Sequence, residues 1–276
     1  MQEVVIRPTR GWIGLQIREL WAYRELLYFL TWRDIKVRYK QTVFGAAWAV
    51  IQPFALMVVF SALFGEFANE ARNSADVPAP IFFYAGLVPW TLFSSSLTGS
   101  SQSVVAGRGL VTKVYFPRLI MPIAATGSFL VDFGIAMVVL VGMMIFYGVP
   151  PTMTVLWLPA FALLALVTST GIGIGVSALN AKYRDVGYAV PFITQLLFFL
   201  SPVMYPTTSS FVPAAIRPFY GLNPMVGVIE GFRWALLGVG DGPGLMTLIS
   251  GLMAVVLFLA ALLYFRRLER SFADVI

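Results

Sequence analysis

A single carboxylate, Asp132, falls well inside an apolar stretch long enough to cross a bilayer. A charge at that depth costs roughly 2.5–3.5 kcal/mol on insertion scales, so it must face protein or water. Two roles fit it: a polar group lining a conduit or proton relay, or a helix-packing carboxylate hydrogen-bonded to a nearby Ser or Thr. No basic residue lies deep in any apolar stretch to pair with it. Little else here could do covalent chemistry. The chain has no Cys and no His, which removes disulfides, thiol nucleophiles, imidazole bases and most transition-metal sites, so no metal ligand set is expected. It has no G-x-x-x-x-G-K-[ST] phosphate loop and cannot hydrolyse ATP by that route. Gly171-Ile-Gly-Ile-Gly175 has the look of a dinucleotide turn, but it sits inside an apolar run without the strand and acidic partner such a turn needs. Gly171 and Gly175, four apart on one face, predict close helix packing instead.

Aromatic residues offer a different chemistry. With 23 Phe, 11 Tyr and 7 Trp, most must be lipid-facing, core or interfacial. Two clusters stand apart: Phe82, Phe83, Tyr84, Trp90 and Phe93 on or beside one apolar stretch, and Phe198, Phe199 and Tyr205 on another. Aromatic faces stack on the C–H surfaces of sugar rings and release them easily, which suits a moving polymer. Trp90, Phe93, Phe198, Phe199 and Tyr205 are therefore candidate path residues.

The elements that must carry these groups are membrane helices. The chain is 59% hydrophobic and only 12% charged, with a mean hydropathy of +0.82, where a soluble domain is closer to half apolar and a quarter charged. The apolar surplus must face lipid, because on a soluble surface it would aggregate. Spans of about 20 residues are expected over 45–64, 81–97, 119–147, 155–179, 189–204 and 245–265, with Pro53 kinking the first. Of nineteen Lys and Arg, sixteen fall before the first span, in the second-to-third and fourth-to-fifth loops, and in the tail; Arg72, Arg217 and Arg233 remain on the other side. That asymmetry puts both termini in the cytosol. The net charge of +6 thus reads as topology rather than as a nucleic-acid surface. No cleavable signal is expected, since the first 41 residues carry eight bases and no clean apolar core.

Three regions follow: a cytosolic segment 1–44, a six-helix domain 45–265 and a cytosolic tail 266–276. Within the first, Leu20, Tyr23, Leu27 and Leu30 share a stripe, with Trp12, Trp21 and Trp32 as interfacial anchors. An amphipathic helix on the cytosolic leaflet is expected, although Phe29 and Trp32 fall on its other face. Residues 201–240 are apolar but broken by Pro202, Pro206, Pro213, Pro218 and Pro224. Short re-entrant or interfacial helices on the external side are expected there, where other protein satisfies the backbone.

The segment W-R-D-I-K-V-R-Y-K-Q-T-V-F-G-A-A-W-A-V-I-Q-P, from Trp32 to Pro53, alternates charge and then runs straight into the first span. It is a positive-inside flank and also a lever that a partner could push. This stretch closely resembles the one opening the first membrane helix in permease subunits of type-2 ABC exporters, which export O-antigen, capsule or teichoic-acid polymers. Gly86-Leu-Val-Pro-Trp90, Lys113-Val-Tyr-Phe-Pro-Arg118, Asn180-Ala-Lys-Tyr-Arg-Asp185, Ser201-Pro-Val-Met-Tyr205 and Leu222-Asn-Pro-Met225 resemble the family in the same order. The likeness covers about residues 20–270.

The resemblance implies a non-catalytic inner-membrane subunit working as a homodimer. Two copies of a separate ATPase would bind ATP and Mg, and an undecaprenyl-pyrophosphate-linked polysaccharide, O-antigen first among them, would pass between the permeases. It implies ATPase coupling through Arg33, Asp34, Lys36, Lys113, Tyr115 and Arg118. Arg33, Lys36, Arg38 and Lys40 are candidates to meet the pyrophosphate, although bilayer phosphates attract the same charges. The rival readings are an exporter of a drug or small lipid and a proton-coupled carrier using Asp132. Carriers need paired intramembrane charges or similar inverted halves, and neither is visible. A membrane-embedded glycosyltransferase or acyltransferase lacks the His and clustered acids it would need.

Overall fold

The computed structural model describes residues 17–40, 45–71, 77–207, 212–213, 217–240 and 242–269, and among them every regular element is helical. In chain order these are α1 (Ile17–Ala22), α2 (Arg24–Lys40), α3 (Trp48–Ala71), α4 (Ala79–Ala106), α5 (Arg108–Val111), α6 (Ile120–Ser128) and α7 (Leu130–Phe146). They continue with α8 (Leu158–Lys182), α9 (Val186–Leu200), α10 (Arg217–Tyr220), α11 (Pro224–Leu237) and α12 (Leu245–Glu269). Trp12 and Arg72, the latter expected on the sparse side, lie outside the described residues.

Five segments are long and apolar enough to cross a membrane: Gly45–Gly65, Ala79–Ala106, Ile120–Phe146, Met153–Lys182 and Leu245–Glu269. The expected span at 189–204 is realised only as α9, 15 residues long. At 1.5 Å per residue that is about 22 Å, short of the roughly 30 Å hydrocarbon core. The chain then turns at 201–205 rather than continuing as helix. The span at 81–97 is longer than its hydropathy suggests, because Ser- and Gly-rich residues beyond Leu97 continue α4 to Ala106. The span at 119–147 is interrupted at Phe129, between α6 and α7.

α4 is the centre of the bundle. From Ile81 to Leu92 every residue except Thr91 is buried, and Phe93 follows with 1% exposure. Around them α7, α8 and α11 complete the larger core, while Leu30, Val104, Phe116, Ile120, Ala178 and Phe265 form a smaller one toward the other end of α4. The glycine run at 171–175 packs helices, as its spacing predicts. A Cβ on Gly171 would lie 2.7 Å from Phe258 Cα, and one on Gly175 3.2 Å from Ala261 Cβ, both on α12. Gly173 faces the opposite neighbour, where its Cβ would meet Ser100 Oγ of α4 at 2.5 Å. Further along α8, Asn180 Nδ2 donates to Ser101 O at 3.0 Å. The contacts with α12 rise in step along both helices and those with α4 rise in the same direction, so α4, α8 and α12 run parallel.

The N-terminal helix departs from expectation. Its stripe of Leu20, Tyr23, Leu27 and Leu30 packs into the smaller core, and Thr31 Oγ1 donates to Ala124 O of α6 at 3.4 Å. What α1 and α2 present outward is the other face, with Trp21, Tyr28, Phe29 and Trp32 exposed. The stripe finds protein where the sequence predicts a lipid surface. Beyond α9, the Pro-broken region forms α10 and α11 as two short helices. Asn223 caps α11 by accepting from Met225 N at 3.0 Å, Pro224 fills the first turn, and Gly238 closes it with φ of 65°. Asn, Pro and left-handed Gly each suit the position they hold.

Candidate functional site

The last turn of α2 meets the first turn of α7. Arg38 Nη1 donates to Asp132 Oδ2 at 2.6 Å, and its Nη2 donates to Ser128 Oγ at 3.0 Å. The guanidinium lies 3.7 Å above the Phe129 ring. The Tyr39 hydroxyl donates to the other carboxylate oxygen of Asp132. Burial, then the hydrogen bond to Asp132 and its charge, pushes the Tyr39 hydroxyl up to about 12. Charge-assisted bonds of this type contribute roughly 1.5–3 kcal/mol when shielded from water. Asp132 therefore has the basic partner that the apolar stretches lack. The break at Phe129 also places it in the first turn of a 17-residue helix rather than midway along a longer one. The partner, 94 residues away in the chain, comes from a helix outside the spans.

Two cavities flank this node. One, of about 530 Å³, lies between α2, α4 and α6 and receives Arg33, Asp34, Gln102, Ser103 and Ser128. The other, of about 200 Å³, lies between α3, α4 and α7 and receives Tyr39, Gln52, Thr91, Ser95 and Asp132. Arg38 and Phe129 belong to the walls of both. Thr91, Ser95 and Gln102 fall on one stripe of α4 at helical spacing. The walls offer hydroxyls, amides and two ion pairs, Arg33–Asp34 and Arg38–Asp132, so they can exchange hydrogen bonds with a hydroxylated guest.

At the opposite end of α4 sits a second arginine. Arg233 of α11 is fully buried, with 0% exposure. Its Nη1 donates to Pro202 O at 2.6 Å and to Tyr205 O at 3.4 Å, its Nη2 to Val203 O at 2.6 Å, and its Nε to Phe82 O at 3.4 Å. The guanidinium also lies 3.9 Å from the centre of the Phe82 ring. A Cβ on Gly86 would come within 2.8 Å of Arg233 Nη2. Gly86-Leu-Val-Pro-Trp90 and Ser201-Pro-Val-Met-Tyr205, two of the recognisable motifs, thus meet on this one side chain. Glu230, one turn earlier on α11, accepts from Thr207 N at 3.0 Å. The sequence marks Arg233 only as a base on the sparse side. Its signal is its isolation in an apolar run, where a lone cation needs protein partners.

The aromatic candidates gather near that end. Trp90 and Phe93 are buried, with centroids 5.3 Å apart, and Phe198 lies 5.4 Å from Trp90 and 5.9 Å from Phe60. Trp90 and Phe93 wall an apolar cavity of about 430 Å³ with Leu197, Tyr220 and Asn223. Phe199 is exposed, and Tyr205 donates to Phe199 O at 2.8 Å while pairing with the Tyr220 hydroxyl.

The remaining candidates separate by exposure. Lys113 and Tyr115 stand out from the loop after α5, which Phe116 pins into the core. Arg118 turns inward, donating from Nη1 to Glu269 O at 2.5 Å and from its backbone N–H to Glu269 Oε1 at 3.2 Å. Arg33 pairs with Asp34 at 2.8 Å, Lys36 lies 5.4 Å over the Trp32 ring, and Lys40 is exposed.

The long apolar helices, packed around a groove with polar walls, define a multi-pass membrane protein. The chain belongs to the ABC-2 type transporter family, whose profile matches residues 25–237. It is 30% identical over 261 residues to the O-antigen export system permease protein RfbA of Myxococcus xanthus, covering 94% of this chain and 98% of that protein. Identity to the protein of the same name from Klebsiella pneumoniae is 28% over 256 residues, covering 91% and 95% of the two chains. The polysialic acid transport protein KpsM of Escherichia coli is 26% identical over 242 residues, covering 86% and 91%. The chain is thus an ABC-2 permease homologous to O-antigen and polysialic acid export permeases, and the family resemblance read from its motifs holds.

Proposed function

We propose that this protein is the transmembrane subunit of an ATP-driven exporter that carries a lipid-linked polysaccharide, O-antigen in the first instance, across the bacterial inner membrane. The observation that carries this reading is the end-to-end similarity to an O-antigen export permease, 94% of this chain against 98% of that one. A homodimer forms the conduit, and two copies of a separate ATPase bind ATP and Mg and supply the energy. The polymer travels on undecaprenyl pyrophosphate. The basic side of the bundle faces the cytosol, with α9 and the turn at 201–205 making up the sixth crossing and α10 and α11 lying on the external side.

In this reading closure of the ATPases pushes on α2 and on the exposed loop carrying Lys113 and Tyr115. Arg118 acts there as a tie to the end of α12 rather than as a docking side chain. Arg33, Lys36 and Lys40 remain the bases open to the pyrophosphate, while Arg38 is engaged with Asp132. Similarity to KpsM supports a capsule-type polymer as the second reading. Deletion of the gene is expected to leave undecaprenyl-linked glycan inside the cell and strip glycan from the surface. Normal surface glycan would rule out the polymer reading and favour a drug or small lipid as cargo.

A further inference from the structure

We propose that Arg38, Asp132, Tyr39 and Phe129 form a gate inside each protomer, closing an inner polar chamber off from an outer cavity at the basic side of the bundle. The inference rests on the export reading for its direction, cytosol to membrane, but not for its geometry. The outer cavity, about 530 Å³, and the inner one, about 200 Å³, both follow the polar stripe of α4. Gln102 stands in the outer cavity and Ser95 in the inner one. Between them the walls share Arg38 and Phe129, stacked at 3.7 Å, so these two side chains form the neck.

The neck is held shut by side chains from two different elements. Arg38 and Tyr39 ride on α2, whereas Phe129 and Asp132 belong to the break between α6 and α7 and to the first turn of α7. Three of the bonds joining them are between side chains: Arg38 to Asp132, Arg38 to Ser128 and Tyr39 to Asp132. The ion-pair partners keep 30% and 25% of their side-chain surface exposed, so water can take over both charges as they part. A fully buried pair would have no such replacement and would resist opening. Moving α2 away from α7 therefore opens the neck and joins the two cavities. The joined groove is lined by Gln52, Thr91, Ser95 and Gln102, which fit a hydroxyl-rich group such as a sugar ring.

The chain has no cysteine of its own, so a single introduced thiol reports one position. Ser95→Cys and Gln102→Cys, each in the full-length protein in inverted membrane vesicles, are labelled with a cationic and with an anionic methanethiosulfonate. No nucleotide or glycan is added, so the result is independent of the cargo and of the export reading. The gate predicts that Ser95→Cys reacts at least 10-fold more slowly than Gln102→Cys with both reagents. Adding Asp132→Ala brings the Ser95→Cys rate to within about 3-fold of Gln102→Cys, whereas Asp132→Glu, which keeps the charge, leaves it slow. A mere change in local charge would move the two reagents in opposite directions, while opening raises both. Equal rates at the two positions in the parent protein would overturn the gate. So would a Ser95→Cys rate unmoved by Asp132→Ala, opposite shifts for the two reagents, or an equal rise at Gln102→Cys, which signals a loosened fold.

Discussion

Two arginines anchor the two ends of this bundle, and they are satisfied in opposite ways. Arg38 faces a carboxylate, a hydroxyl and an aromatic ring in a groove that water can reach. Arg233 faces backbone carbonyls in a site with no exposure at all. A carboxylate on a neighbouring helix can move off as that helix moves. Carbonyls of a turn can be released only by undoing the turn. The first arrangement suits a joint that opens, the second a fastening that keeps the turn at 201–205 against α4.

The largest effect that separates them is expected at Arg233. Replacing it with Ala strands the carbonyls of Pro202 and Val203 and leaves a hole, a loss of about 4 kcal/mol or more. Lys, a point charge without the planar fork, should recover little of it. Thermal unfolding in detergent, with the amount of protein in the membrane, measures this; an Arg233→Ala variant as stable as the parent would end the comparison. Gly86→Ala should follow at roughly 1–3 kcal/mol, because the new methyl forces the guanidinium from its place. That penalty should shrink by at least about 0.5 kcal/mol in an Arg233→Lys background, since the two positions share one space.

Asp132→Ala should lower stability by only about 1–2 kcal/mol, because Arg38 can turn to water when its partner is gone. A loss as large as that of Arg233→Ala would mean that the node is a fastening too. The smallest effect belongs to Tyr39. Its hydroxyl keeps its proton up to about 12, against an ordinary 10.0. The stabilisation is complete below pH ~10, where the unfolded hydroxyl is also protonated, and fades as the pH rises through about 12. Tyr39→Phe should flatten that alkaline decline, as seen in melting temperatures measured from pH 8 to about 12.

Much of this architecture was legible in the chain. Hydropathy located the rods, the glycines of 171–175 announced close packing, and the Pro-broken stretch before the last helix became short helices. The misses have physical causes. The second half of α4 is Ser-rich and apolar only in part, so hydropathy ended it early; burial between α6 and α8 is what sustains it as helix. α9 is apolar enough to cross but too short, because the turn that follows it at 201–205 is drawn sideways onto Arg233. The stripe on α2 signalled burial without saying against what. The Arg38–Asp132 pair joins residues 94 apart, and no local pattern could have placed a base beside that acid. The motifs meeting on Arg233 were recognisable as strings, but what holds them together was a residue in none of them.

The glycines of α8 carry one more implication. Gly173 seats α8 against α4, while Gly171 and Gly175 seat it against α12; a methyl group would clash at Gly171 and Gly173 and crowd Ala261 at Gly175. Three parallel helices meshed in this way behave as a stator. The oppositely directed α3, α7 and α9 pack around that axis, so movement within the bundle would fall to them and to α2. On the export reading, a cargo path that widens and narrows would be shaped by a moving jacket on a stationary shaft.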